Sequence, residues 1–157
     1  MAEPIIATRV QAASFDAAAE VAALTAGRDD IGAVVSFTGL VRADANDRGG
    51  LTALTLEHYP AMTTRVLAAT AADAAARWPV TGGIVVHRVG RLLPGEPIVL
   101  VAVASAHRGA AFAAAEFLMD WLKTRAPFWK AEERAGGTTW LTAKASDDEA
   151  ARRWDTR

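Results

Sequence analysis

The run from Lys123 to Lys130 holds two lysines, an arginine, a proline and two aromatic residues. A lysine in a dry, cation-rich pocket has a lowered pKa, so its amine can act as a general acid, base or nucleophile near neutral pH. Pro127 disfavours helical dihedrals at the residue before it, which predicts that a helix ends there and an extended segment begins. Lys123 and Lys130 are therefore expected on two elements that meet at a corner. The alternative is that Lys123 and Arg125 only complement the dipole at a helix C-terminus.

A second polar pair, His107 and Arg108, is predicted at the start of the same helix. Free backbone N–H groups and the helix dipole favour an anion there, so phosphate or carboxylate is the expected ligand. The alternative is that Ser105 caps the helix and His107 is a half-exposed turn residue. A helix from Arg108 to Arg125 is about 25 Å long, so either its two ends form separate sites or a second subunit closes the gap.

Several other side chains have both a structural and a functional interpretation. Arg42 directly follows a predicted buried strand and is a third candidate for binding an anion. His58 and His87 fall in strand patterns, which favours packing or hydrogen-bonding roles. Phe128 and Trp129 could stack on a planar heterocycle, although we expect at least one of them to pack into the core or cover a sheet edge.

The elements that must position these residues follow from hydrophobic periodicity, helix caps and turn residues. The pattern predicts strands at 4–10, 31–41, 51–59, 84–89, 98–104, 128–134 and 138–143, helices at 15–26, 60–78 and 108–125, an exposed loop at 42–50, a turn at 91–96, and a short tail helix anchored by Trp154. In the third helix, Phe112, Ala115, Met119 and Leu122 are predicted to form the buried stripe. Without strict strand–helix alternation, the expected fold is α+β with a mostly antiparallel sheet and packed helices.

Composition excludes several classes of function. A chain of 157 residues that is 52% hydrophobic predicts one domain, residues 1–157, with a sizeable core. A net charge of −1 does not provide the basic field of a general nucleic-acid binder. The absence of cysteine excludes disulfides, thiolate metal sites and a cysteine sulfur carrier, and three dispersed histidines argue against a zinc site. No membrane span or signal segment is evident, so the cytoplasm is the expected compartment.

The sequence resembles the large, catalytic subunit of molybdopterin synthase, the MoaE family. The matching segments, in family order, are GAVVSFTGLVR (32–42), LTLEHYP (54–60), RWP (77–79), HRVG (87–90), PGE (94–96), SAHR (105–108) and MDWLKTRAPFWK (119–130). The resemblance implies an α/β-hammerhead-like fold. It also implies a sulfurtransferase without a cofactor that converts cyclic pyranopterin monophosphate, a pterin, to molybdopterin for molybdenum cofactor biosynthesis.

The implied partner is a small ubiquitin-like sulfur-carrier subunit, whose C-terminal Gly-Gly thiocarboxylate enters a pocket of the large subunit. Two large subunits form a homodimer at the centre of a heterotetramer. This chain ends in Asp155-Thr156-Arg157 and carries no such tail, so the carrier is expected to be a separate protein.

The resemblance also implies roles for individual residues. Lys123 and Lys130 match the essential lysines, with Lys123 as the acid/base or covalent group at the thiocarboxylate carbonyl and Lys130 as its partner for orientation and charge. The residues that match substrate-binding or pocket positions are His107 and Arg108 for the phosphate and pterin edge, Arg42 for an anion, Phe37 and Met119 near the pocket, and Ala131 and Glu132 in a closing segment.

One position departs from the family pattern. Leu40 stands where the family commonly has a lysine, which weakens binding at that place or leaves the charge to another residue such as Arg48. Two alternatives to the enzyme therefore stay open: a non-catalytic phosphate- or nucleotide-binding dimeric module, and an inactive paralogue.

Overall fold

The computed structural model describes residues 3–43, 50–141 and 145–155, and these form an α+β arrangement. The elements, in chain order, are β1 (Ile6–Gln11), α1 (Ala17–Thr25), β2 (Ala33–Leu40), β3 (Ala53–His58), α2 (Pro60–Arg77), β4 (Val80–Arg88), β5 (Gly90–Leu92), β6 (Pro97–Ser105), α3 (Arg108–Thr124), β7 (Phe128–Arg134), β8 (Gly137–Trp140) and α4 (Ala145–Arg152). The predicted fold class is confirmed.

The strands of the described chain are divided between two four-stranded sheets. The first sheet has the order β1-β4-β6-β2 and the second has the order β5-β3-β7-β8. Among these pairs β1 and β4 are parallel, and the others are antiparallel, as predicted.

The first sheet is covered on both faces, which explains why β4 and β6 are almost continuously apolar. Val101 and Val103 of β6 pack with Phe117 and Leu118 of α3, while the alternate residues of β6 face the side of α1. Each large apolar side chain buried in this way contributes about 1.5–3 kcal/mol. The sheet is therefore a rigid platform on which α3 and its two ends are placed.

The second sheet is smaller and is joined to the first through shared apolar contacts. Leu56 of β3 and Leu92 of β5 are buried with Val41, and Phe128 packs against this cluster. Ile98 of β6 packs against the clusters of both sheets. The start of β7 is thus held close to the first sheet.

Local sequence signals explain where the helices begin and end. Asp16 caps α1 by accepting a hydrogen bond from the Ala19 amide at 3.1 Å. α2 begins at Pro60, where the missing amide hydrogen has no cost, and ends before Pro79. α3 ends when the Arg125 amide donates to the Trp121 carbonyl at 2.8 Å, just before Pro127.

The predicted tail helix is present as α4, and the Trp154 that follows it packs against α3. The ring of Trp154 lies edge-on to those of Trp78 and Phe117, and its indole N–H donates to Asp120 Oδ2 at 2.6 Å.

Two predictions about local structure are wrong. Ala115 and Leu122 of the predicted stripe on α3 are buried, but Phe112 is 61% exposed, because the buried face also takes in Ala111, Ala114, Phe117 and Leu118. The predicted turn at 91–96 begins later, since Gly90–Leu92 is a short strand that pairs with β3. Most of the predicted 42–50 loop, including Arg48, lies outside the described residues.

Candidate active site

The two candidate lysines lie on adjoining elements at one corner of the fold. Lys123 is exposed in the last turn of α3, and Lys130 is half-buried on β7 opposite Leu56 of β3. Between them, the Phe128 amide donates to the Ala126 carbonyl at 2.8 Å, which turns the chain from helix into strand. The predicted corner is therefore present, but Lys123 is exposed in this chain and does not lie in the dry pocket that the sequence suggested. It occupies a helix terminus, as the alternative interpretation also required.

His87, from the neighbouring sheet, lies at this corner. It is 5% exposed at the end of β4, and its ring stacks on that of Phe128 with centroids 4.0 Å apart. The pKa of His87 is lowered from 6.5 to about 4, mainly by burial, and further by electrostatic interactions with Lys130, Lys123 and His58. Those three side chains therefore lie within electrostatic reach of one buried imidazole.

The prediction that His58 and His87 pack or form hydrogen bonds is confirmed, but it missed their place beside the lysines. His58 Nδ1 lies 3.2 Å from Thr63 Oγ1, and its ring centroid is 6.1 Å from that of Phe128. His87 belongs to the HRVG segment that carries the family resemblance, but that segment does not indicate which residues lie near the His87 ring. Its proximity to Lys130 depends on how the two sheets pack, and no local pattern reports that.

The two aromatics of the corner have separate positions, since side chains alternate along β7. Phe128 packs toward the apolar cluster of the second sheet, as expected for one of the pair. Trp129 is half-exposed and meets Tyr59 edge-on at 6.1 Å. Phe128 and Lys130 therefore share one face of β7, and Trp129 lies on the other.

The remaining candidates near the corner are mostly buried. Ala131 is buried on β7 opposite Thr55, and Glu132 is buried in an ion pair with Arg134 at 2.7 Å. Met119 is half-buried on α3 and packs against the main core cluster.

His107 and Arg108 lie at the opposite end of α3 and are both exposed. His107 is the N-cap residue by its backbone conformation, but its side chain makes no capping hydrogen bond. Instead the buried Ser105 hydroxyl donates to the His107 carbonyl and accepts from its amide. At about 25 Å of helix length, one chain does not bring this pair to Lys123.

The chain just before β2 approaches the connection between β6 and α3 closely, and this contact holds the backbone at the N-terminal end of α3. The Gly32 amide donates to the Ser105 carbonyl at 3.0 Å. A Cβ on Gly32 would lie 2.1 Å from the Ala106 carbonyl oxygen, so a side chain is excluded while the backbone keeps this position. Glycine is thus required beside His107.

Arg42 lies at the lysine end of the first sheet. Val99 of β6 pairs with both Gly39 of β2 and His87 of β4, so the end of β2 is level with His87. Arg42 follows directly and is exposed, while Phe37 is exposed in mid-strand opposite Val101. Leu40 is also exposed, just beyond a shift in the β2–β6 register between Gly39 and Leu40.

Comparison with known proteins decides the family. The family model described as MoaE protein matches residues 10–125. A molybdopterin synthase catalytic subunit from Mesorhizobium japonicum is 57% identical over 148 residues, which are 93% of this chain and 91% of the relative. The chain belongs to the MoaE family, that of molybdopterin synthase catalytic subunits.

Solved structures of MoaE proteins share the fold. The molybdopterin biosynthesis MoaE protein from Burkholderia ambifaria superposes with a TM-score of 0.81 at 48% identity, covering 97% of this chain and 99% of that one. The crystal structure of molybdopterin synthase from Staphylococcus aureus gives a TM-score of 0.78 at 30% identity, covering 85% and 95%. The sequence resemblance is therefore confirmed in both sequence and structure.

Among residues 3–43, 50–141 and 145–155, no three His, Cys, Asp or Glu side chains come together as metal ligands would. Within the same residues no helix has the length and apolar character needed to cross a membrane.

Proposed function

We propose that this MoaE-family enzyme inserts the two dithiolene sulfurs of molybdopterin into cyclic pyranopterin monophosphate. The observation that carries the proposal is the convergence of Lys123 and Lys130, from α3 and β7, on the surroundings of one buried imidazole. Two amines at one corner suit a reaction at an acyl group that carries negative charge. A non-catalytic binding module does not require that convergence.

The sulfur must come from another molecule, because the chain has no cysteine. Its relatives are named catalytic subunits, and such a name belongs to one member of an assembly. We propose a small ubiquitin-like subunit whose Gly-Gly tail ends in a thiocarboxylate. An anionic tail is attracted to the two lysines, and glycine allows a narrow approach.

In the proposed reaction, the thiocarboxylate sulfur bonds to a side-chain carbon of the pterin as the C–O bond at that carbon breaks, and the displaced oxygen stays on the phosphate or takes up a proton and leaves as water. Hydrolysis then breaks the bond between that sulfur and the acyl carbon, and the small subunit leaves as a carboxylate. Lys123 acts at the carbonyl, as an acid/base or covalent group, and Lys130 supplies orientation and charge. Two sulfurs require two such deliveries.

The pterin phosphate is assigned to His107 and Arg108, whose exposed side chains lie at a helix N-terminus that favours anions. Because this pair is a helix length from Lys123, we propose that a second copy of the chain completes each site. The assembly is then a homodimer with a small subunit at each end. Arg42 adds a cation at the lysine corner, Phe37 and Met119 border the pocket, and the Ala131–Glu132 segment, held within β7, forms part of its wall.

The decisive experiment measures molybdopterin formation from the pterin substrate and a thiocarboxylated small subunit. Lys123→Ala should lower turnover by roughly 100-fold or more, the usual effect of removing a general acid or base. Arg65→Ala is the matched control, since Arg65 is an exposed cation on α2. Its turnover should equal that of the wild type.

Near-wild-type turnover by Lys123→Ala contradicts the catalytic assignment. Binding of generic phosphates without capture of a small ubiquitin-like protein favours the non-catalytic module, and a large gain in rate from Leu40→Lys favours the inactive paralogue. A cytoplasmic location is part of the proposal and is tested by cell fractionation.

A further inference from the structure

A ring stack joins the two sheets at the lysine corner. His87 belongs to β4 of the first sheet and Phe128 to β7 of the second. Their rings are nearly parallel, with centroids 4.0 Å apart and planes at 17°. Lys130 lies two residues beyond Phe128, on the same face of β7. The His87 ring therefore contacts the strand segment that carries Lys130.

The orientation of the His87 ring is fixed by a hydrogen bond. Its Nδ1 lies 2.9 Å from the Arg88 carbonyl oxygen. A carbonyl can only accept, so Nδ1 carries the hydrogen and Nε2 of the neutral ring has none. The Arg88 side chain is held in turn, since it donates to the carbonyls of Ala12 and Pro97, each at 3.0 Å. The acceptor for His87 is thus part of a fixed framework.

A second imidazole lies near Phe128. The His58 ring is tilted by 38° to that of Phe128, at 6.1 Å between centroids. The Thr63 hydroxyl gives its hydrogen to the Tyr59 carbonyl at 2.9 Å, so it accepts from His58 Nδ1. Phe128 is therefore flanked by oriented rings from β4 and β3.

The neutral state of the His87 ring is consistent with a structural role. Burial lowers the pKa of His87 to about 4, so the imidazole is neutral near pH 7. A third cation at this place would repel Lys123 and Lys130. An uncharged aromatic ring packs against Phe128 without that repulsion.

We propose that His87 is a positioning residue of the sulfur-transfer site, which sets Lys130 relative to Lys123 by holding Phe128 in place. The inference rests on the function proposed above. His87 acts through the ring stack, and its hydrogen bond to Arg88 sets the plane of the ring. Its loss should impair the chemical step more than substrate binding.

The test compares His87→Ala with His87→Phe in the reconstituted complex with a thiocarboxylated small subunit. His87→Ala should lower kcat about tenfold and leave KM for the pterin within about threefold, because the lysines are displaced while the phosphate contacts remain. His87→Phe keeps a flat ring against Phe128 and should restore kcat to within about threefold of the wild type. An unchanged kcat in His87→Ala overturns the proposal.

Val86→Ala is the matched control for stability. Val86 is the neighbour of His87 on β4 and is buried in the cluster on the opposite face of the sheet, where it packs toward α1. It should lower Tm without lowering kcat. If Val86→Ala lowers kcat as far as His87→Ala at a similar Tm, the role of His87 is only structural and the proposal fails.

Phe128→Leu tests the same stack from β7 and serves if His87→Ala does not fold. It should reduce kcat about as much as His87→Ala, and the double variant should fall no further, because both changes break one contact. Independent, multiplicative effects overturn the proposal. Wild-type protein that forms no molybdopterin rejects the proposed function, whereas active wild type with unaffected stack variants rejects only the role of His87.

Discussion

The two ends of helix α3 carry similar cations in different surroundings. At the C-terminal end, Lys123 of α3 and Lys130 of β7 both interact electrostatically with the buried His87 of β4. At the N-terminal end, His107 and Arg108 are exposed. Within residues 3–43, 50–141 and 145–155, Arg108 makes no hydrogen bond or ion pair.

One chain therefore builds the lysine corner by itself, whereas it leaves His107 and Arg108 exposed at the other end of α3. Packing between the two sheets fixes the position of the β7 segment that carries Lys130, so the geometry of this corner is set by the core. At the other end, the Ser105 hydroxyl holds the backbone of His107, and no hydrogen bond to another described residue fixes the Arg108 side chain. A phosphate ligand or a second copy of the chain would complete that end.

The largest effect expected from the contrast is a dependence of stability on pH at the lysine end. The pKa of His87 is about 4 in the folded chain and about 6.5 when unfolded, so the unfolded state binds the proton first as pH falls. The stability that depends on a neutral His87 is fully present above pH 6.5. The free energy of unfolding should fall by about 2–3 kcal/mol between pH 6.5 and 4.5. Urea unfolding at the two pH values measures this loss.

His87→Phe provides the control, because it removes the titrating group and keeps a ring. The variant should lose much less stability over the same interval. The carboxyl pKa values of Asp30 and Glu96 are lowered by hydrogen bonds, to Arg28 and to the Leu93 amide respectively. They contribute mainly below this window. Equal losses in wild type and variant would show that His87 is not the group responsible.

The next effect concerns the N-terminal end and is smaller. Gly32→Ala should destabilise the chain by about 2 kcal/mol, because its Cβ would overlap the Ala106 carbonyl and force the backbone next to His107 to move. Thermal or urea unfolding measures the loss. Gly109→Ala, with no atom within 4 Å of the added Cβ, is the matched control and should lose little. If the two variants are equally stable, the close approach is not a constraint.

The smallest effect is on substrate binding at the same end. Arg108→Ala should weaken pterin binding about tenfold, since a charge-assisted hydrogen bond is worth about 1.5–3 kcal/mol. The unfolding free energy should be unchanged, because Arg108 is exposed. Isothermal titration with the pterin substrate measures both Arg108→Ala and Arg108→Lys, which retains the charge without the planar fork. Wild-type affinity in Arg108→Ala would remove this end from the binding site.

Much of the local structure was predictable because its signals are local. The bounds of α2 and α3 follow from Pro60, Pro79 and Pro127, and β7 occupies the predicted residues. The corner between Lys123 and Lys130 follows from the same proline. The stripe on α3 was wrong at Phe112, because alanines satisfy the apolar pattern in more than one register and only packing selects the buried face.

By itself, the sequence determined most of the elements, the residues at the ends of α3, the absence of a sulfur-carrying cysteine and the resemblance to the MoaE family. Tertiary structure alone decided that the strands form two sheets, that Arg42 lies at the lysine end, and that His87 and Phe128 stack beside Lys130. The physical reason is the separation along the chain over which each kind of interaction acts. Helix and strand periodicity acts between residues a few positions apart, whereas strand register and sheet packing join segments distant in the chain.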